Sequence, residues 1–159
     1  RNNIVSGTTR FAQTHYEDAS MPKPTRIHMY NNTLYSTGNP GYTSDVTWWG
    51  FTSDHGPSTY SGSTFEVKNN LYYCPSNCAG TYYSQDVGSY LSGATFTTSN
   101  NSSNVATSPS FTVSPPSVLS DFTPQSGSYA NGAGTAVPVW SDFYGSWQPS
   151  ARDIGAVIH

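Results

Sequence analysis

Charge is scarce in this sequence. Only 9% of its 159 residues are Asp, Glu, Lys or Arg, and the formal net charge is −3. The six Lys and Arg are spread over the whole chain and form no basic patch, which argues against a nucleic-acid binder. No run approaches the roughly 18 apolar residues that a membrane-spanning helix needs. No segment keeps a helical apolar period. A Gly-x-Ser-x-Gly nucleophile turn, a phosphate loop, zinc-ligand spacing and an EF-hand loop are all missing, which removes the common local signatures of serine hydrolases, nucleotide binders and zinc or calcium modules. Calcium held by surface Asp and Asn oxygens is chemically allowed but unmarked, and no cofactor is expected. Low charge does not make the chain disordered. Aromatics supply 14% of residues, with twelve Tyr and four Trp, whereas disordered chains are poor in these.

What the sequence does have is a repeat. Arg1-Asn2-Asn3-Ile4-Val5, Tyr30-Asn31-Asn32-Thr33-Leu34-Tyr35 and Lys68-Asn69-Asn70-Leu71-Tyr72-Tyr73 each run an Asn-Asn pair into apolar residues. The second and third follow alternating strands, Thr25 to Tyr30 and Thr64 to Lys68. Aligned on the Asn pairs, Ile27 falls on Phe65 and Met29 on Val67, as stacked turns of one repeat require. Asn suits such corners because it tolerates left-handed backbone and its amide can bond backbone or a like amide one turn away. The spacings of the second Asn are 29 and 38 residues. A bare turn of a three-sided parallel β-helix takes roughly two dozen, so loops are expected within 11–24, 36–63 and 74–90. Residues 97–110 read as an exposed Ser/Thr/Asn-rich connection. Two domains follow from this division: 1–96 as coils with insertions, and 97–159 as the final connection and a cap.

The two cysteines, Cys74 and Cys78, enclose Pro75-Ser76-Asn77. The spacing fits a small disulfide loop in an oxidising compartment, two free thiols, or half of a metal site, and with no second Cys pair a metal has the least to recommend it. The chain opens on a polar, strand-like segment, as a processed secreted chain or a fragment would. Since the first repeat begins at Arg1, further coils or a partner chain are expected before it.

Pro109-Ser110-Phe111, Asp121-Phe122 through Gly127-Ser128, Ala133-Gly134, Asp142-Phe143-Tyr144-Gly145 and Asp153-Ile154-Gly155-Ala156 follow in that order. In this order they resemble the closing segment of secreted right-handed parallel β-helix repeat proteins, with "P-x-F", "D-F-x-L-x-x-G-S", "A-G", "D-x-x-G" and "D-I-G-A". The family's "S-P-A-I" after "G-S" is replaced here by Ser128-Tyr129-Ala130-Asn131, and its acidic and aromatic tail by Val157-Ile158-His159. The resemblance implies an all-β, right-handed parallel β-helix (solenoid) of few coils with long insertions. It also implies a C-terminal cap, with Phe111, Phe122 and Ile154 plugging the apolar end of the stack. It places the chain outside the cell or on a virion surface.

Members of that family often act on polysaccharide along an outward face, by lyase or hydrolase chemistry. Register puts His28 over Glu66, Arg26 beside Thr64, and Arg1, Tyr30 and Lys68 in one column. A lyase on an acidic glycan needs a cation against the carboxylate and a base for the neighbouring proton, and Arg26, Lys68, His28 and Glu66 are of the right types. Asp45 and Asp54 read as turn caps rather than as a hydrolytic pair. Tyr42, Trp48, Trp49, His55 and Tyr60, with Tyr30, are the candidate sugar contacts, because aromatic faces pack on sugar C–H surfaces while nearby hydroxyls bond sugar hydroxyls. The expected function is thus the C-terminal part of an extracellular protein that recognises or degrades polysaccharide. A non-catalytic tailspike or adhesin module and a self-assembling structural segment are the alternatives. The expected partners are polysaccharide and an N-terminal β-helix segment or chain, with no nucleic acid and no membrane span.

Overall fold

The computed structural model describes residues 1–7, 25–36, 62–75, 93–102, 107–139, 141–147 and 152–157 in full, and the backbone alone of 10–16, 47–53, 58–59 and 91–92. Ten short strands carry the described fold: β1 Ile4–Ser6, β2 Arg10–Tyr16, β3 Arg26–Tyr30, β4 Thr33–Tyr35, β5 Thr47–Ser53, β6 Ser58–Thr59, β7 Thr64–Lys68, β8 Leu71–Tyr73, β9 Leu91–Ser92 and β10 Thr95–Ser99. The only described helix is a single 3-10 turn, Leu119–Phe122. The described residues are therefore all-β, and every strand pair among them is parallel.

The sheet orders are β1-β4-β8, β3-β7-β10, β2-β5 and β6-β9. None of the partners is a sequence neighbour, so each strand pairs with its counterpart one repeat away. The register predicted from the Asn pairs is the observed one: Ile27 lies beside Phe65 and Met29 beside Val67. Phe65 and Val67 are fully buried, and Leu34 and Tyr72 share a second buried column with Val5.

The asparagine pairs divide two tasks between their members. The first of each pair, Asn2, Asn31, Asn69 and Asn100, has φ between 52° and 57°. This left-handed turn breaks one strand and starts the next, and Asn is the non-glycine residue that adopts it at least cost. The second member builds a ladder. The backbone N–H and side-chain Nδ2 of Asn3 both donate to Asn32 Oδ1 (3.1 and 2.9 Å). Those of Asn32 donate to Asn70 Oδ1 (3.1 and 2.8 Å), and those of Asn70 to Asn101 Oδ1 (2.9 and 2.8 Å). Asn32 and Asn70 have no exposed surface, so each buried amide is satisfied by its like.

Two expectations change here. The repeat has a fourth member: Thr95–Ser99 is a strand and Asn100-Asn101 its corner, although 97–110 reads as an exposed connection. Its inward positions are Phe96 and Thr98, and Ser102 follows the pair where the others have Ile, Thr or Leu, so the apolar signal fades while the register persists. Likewise, two of the three intervals read as loops hold described strands, β2 in the first and β5 and β6 in the second. Residues of β2 and β5 pair over Arg10↔Thr47 to Tyr16↔Ser53, adding a third parallel ladder.

The C-terminal segment does not plug an end. Phe111, Phe122, Ala130 and Ile154 pack with Tyr35, Leu71 and Tyr73, and Ile4 joins at the border. These partners come from three successive repeats, so the cluster lies along the side of the β1-β4-β8 sheet. Edge-to-face rings knit it, with Phe111 and Phe122 5.4 Å apart and Tyr35 and Phe122 6.0 Å apart. The physical reason is in β4 and β8, which are buried at every position. A strand buried on both faces needs cover on both. One face turns Leu34 and Tyr72 inward. The other, carrying Leu71, Tyr35 and Tyr73, is covered by the tail. Asp121 anchors part of that cover. Its Oδ2 accepts the backbone N–H groups of Val118 and Ser117 at 3.0 and 2.9 Å, which hold its carboxyl below the usual range.

Residues 133–139 and Ser141 then cross the repeats as a strap, held by the first asparagine of three of the four pairs. Asn100 Nδ2 donates to Ala133 O (2.8 Å). Asn69 Nδ2 donates to Thr135 O and its Oδ1 accepts from Thr135 N, both at 2.8 Å. Asn2 Nδ2 donates to Ser141 O (2.6 Å). Between these, Val137 and Val139 pack on Tyr30.

Candidate functional site

Parallel stacking brings one repeat's outward residues beside the next at the strand spacing of about 4.8 Å. On the outward face of β3-β7-β10, His28 pairs in register with Glu66, Arg26 with Thr64, and Tyr30 with Lys68. Three of the four residues proposed for catalysis meet. Lys68 Nζ lies 2.9 Å from Glu66 Oε1, the Tyr30 hydroxyl donates to Glu66 Oε2, and His28 stacks on Tyr30 with ring centroids 5.3 Å apart. Arg26 and His28 are exposed, while Glu66 and Lys68 are half-buried.

The electrostatics follow from these contacts. The Tyr30 hydroxyl, then the Lys68 ammonium, hold the Glu66 carboxyl below its ordinary range, against the opposing effect of burial. Burial, then the hydrogen bond to Glu66, push the Tyr30 hydroxyl well above the usual tyrosine range. Glu66 is therefore an ionised acceptor with both oxygens engaged, a weak base and an unsuitable acid. Tyr30 does not present its ring to a ligand: it is 3% exposed beneath Val137 and Val139. The outward groups left to meet a solute are Arg26, His28 and the Lys68 ammonium.

A carboxyl held low stabilises the folded state fully above the unfolded carboxylate range, and that contribution is lost as the pH falls through the folded value. Glu66→Gln should therefore flatten the acid limb of the stability profile. Urea midpoints measured from about pH 7 down to about pH 3 should fall less in the variant than in the parent. Parallel curves would remove Glu66 from the acid response.

Of the proposed sugar contacts, Tyr42, His55 and Tyr60 lie outside the described residues. Trp48 and Trp49 lie on β5, where Trp49 is level with Ala12 of β2. Cys74 is buried and is not a free thiol; Cys78 lies outside the described residues. Among the described residues, no three His, Cys, Asp or Glu converge as a metal site, and no helix is long and apolar enough to cross a membrane.

One aromatic group escaped the sequence reading. The turn Ser141–Trp147 is closed by a bridge between its ends, by Ser146 N–H to Asp142 Oδ1 at 2.7 Å, and by Asp142 N–H to Ser146 O at 2.9 Å. It shows Phe143, Tyr144 and Trp147 to solvent, Trp147 at 68%. Three aromatics within five residues around Gly145 were the available signal, but the resemblance absorbed them as a closing motif.

Compared with family models, curated proteins and solved structures, the chain matches none.

Proposed function

We propose that this chain is the C-terminal part of an extracellular right-handed parallel β-helix protein that recognises polysaccharide. The observation that carries the reading is the four-fold asparagine register, which lines equivalent side chains into columns along one outward face. A polymer lying along the stack meets equivalent positions of successive repeats. Exposed Arg26 and His28 with Lys68 provide cations and donors for an acidic glycan. The Phe143, Tyr144 and Trp147 turn provides flat apolar faces for sugar rings, and Trp48 and Trp49 are the further candidates on β5. A disulfide between Cys74 and Cys78 accords with a secreted chain and with a Cys74 that is not a free thiol.

Lyase-type cleavage is the second reading, favoured by the meeting of His28, Glu66 and Lys68 in one cluster. In it Arg26 and Lys68 neutralise a uronate carboxylate and His28 takes the adjacent proton; the C–H electron pair becomes the C=C bond as the glycosidic C–O bond breaks, the proton passes to the departing oxygen, and Glu66 orients Lys68 rather than acting as the base. The test is an array of neutral and acidic oligosaccharides, with ultraviolet absorbance followed for unsaturated product. Binding should weaken about tenfold in Trp147→Ala or Trp49→Ala. Turnover that disappears in Lys68→Ala or His28→Ala would establish the lyase. No binding to any acidic or neutral glycan would defeat both readings.

A further inference from the structure

The outward face of β3-β7-β10 changes its chemistry from strand to strand. Register lays three rows across it: Arg26 beside Thr64 and Thr95, His28 beside Glu66 and Thr97, and Tyr30 beside Lys68 and Ser99. On β3 the exposed groups are a guanidinium and an imidazole, Arg26 and His28, since Tyr30 is buried. On β7 the charges close on each other. Lys68 Nζ lies 2.9 Å from Glu66 Oε1, and the Tyr30 hydroxyl donates to Glu66 Oε2. On β10 the outward side chains are hydroxyls alone, with Thr95 exposed and Thr97 and Ser99 half-buried. Arg1, one repeat before β3, donates to Pro138 O at 3.0 Å and so is drawn to the strap rather than to this face. The face thus runs from basic to neutral over two strand spacings, about 10 Å.

Resting on the polysaccharide reading, we propose that this face selects a glycan of mixed charge, with an acidic sugar seated on β3 and neutral, hydroxyl-bearing sugars following on β7 and β10. Arg26 holds the sugar carboxylate through a charge-assisted hydrogen bond, and the His28 imidazole supplies a second donor. A second acid is disfavoured on each of the other strands. On β7 it meets a cation already neutralised and a carboxylate of like charge, which Tyr30 and Lys68 keep ionised. On β10 it meets no cation, so its lost hydration goes uncompensated. Sugar hydroxyls both donate and accept, and they suit the hydroxyls of Thr64, Thr95, Thr97 and Ser99. The selection comes from the difference between strands, which a uniformly basic face would not give.

The experiment compares hexasaccharides of several linkages in three charge patterns: acidic at every unit, acidic and neutral in alternation, and neutral throughout. Affinities are taken from titration calorimetry at neutral pH. The alternating pattern should bind about tenfold tighter than either of the others. Arg26→Ala should remove its advantage over the neutral pattern. Glu66→Gln, which leaves Lys68 unpaired, should raise the affinity for the uniformly acidic pattern about tenfold and for the alternating pattern by less. Neutral or uniformly acidic hexasaccharides that bind as tightly as the alternating ones would overturn the charge selection and leave the polysaccharide reading standing. So would an order of preference that neither variant changes. No binding in any pattern would remove both.

Discussion

Asn70→Ala should lower unfolding stability by about 3–5 kcal/mol, the largest effect expected from a single buried side chain in this protein. The magnitude comes from what is stranded. Asn70 Oδ1 accepts two hydrogen bonds from Asn32, and its Nδ2 donates to Asn101 Oδ1, Met29 O and Lys68 O at 2.8 to 3.1 Å. Alanine leaves those groups unpartnered where water does not reach, at about 1–3 kcal/mol for each group that stays unsatisfied, offset in part by relaxation. Asn70→Asp separates the ladder from simple volume. It keeps the accepting oxygen but points a second oxygen at two carbonyls and an amide oxygen, which raises the new carboxyl's pKa. A group raised in this way is tolerated below its unfolded value and costs stability as the pH rises through its folded value. The deficit of Asn70→Asp should therefore shrink on acidification, while that of Asn70→Ala should not. Chemical denaturation at two pH values distinguishes them. Equal deficits at both would mean the amide is not buried against those acceptors.

Gly155→Ala should cost about 2–4 kcal/mol and loosen the C-terminal cover from the sheet. Gly155 has φ of 102°, a conformation that side chains rarely adopt. A Cβ there would sit 2.8 Å from Thr33 Oγ1 and 3.1 Å from Leu71 Cβ. Neither neighbour can retreat. Thr33 Oγ1 is held as acceptor of the Ala156 N–H at 2.9 Å, and Leu71 is fully buried. The Gly155 N–H also donates to Asn69 O at 2.8 Å, so displacement breaks a bond to a repeat corner. Thermal unfolding should show the loss, and limited proteolysis should cut the variant first between residues 107 and 157. A variant as protease-resistant as the parent would show that the tail does not need this close approach.

These two sites mark how far the sequence was legible. Asn pairs and alternating strands are local signals, and they carry the register of β3 on β7 by themselves. The repeat at Asn100-Asn101 was hidden because its inward partner is Thr98 and its following residue is Ser102. Composition there resembles a loop, and only the ladder hydrogen bonds reveal a rung. The route of the tail was hidden for a different reason. Leu71-Tyr72-Tyr73 is apolar throughout, so period-two reading cannot say which face looks inward, and only the fully buried pattern of β8 shows that both do. At the candidate site, register placed His28, Glu66 and Lys68 together. The burial of Tyr30 was set by Val137 and Val139, more than a hundred residues away, which no local pattern reports.

The asparagine corners joined to Ala133, Thr135 and Ser141 also bear on how the protein comes to be folded. A stack of repeats held only by contacts between neighbours can grow or fray one unit at a time. A clasp from Asn2 to Ser141, across 139 positions, ties the first described repeat to a segment that follows the fourth. Such distant closure raises contact order and slows the final step, because the intervening chain must be ordered before the clasp gives any return. It also makes loss of structure a single event, since no outer unit can leave without releasing a seam shared by three of the four.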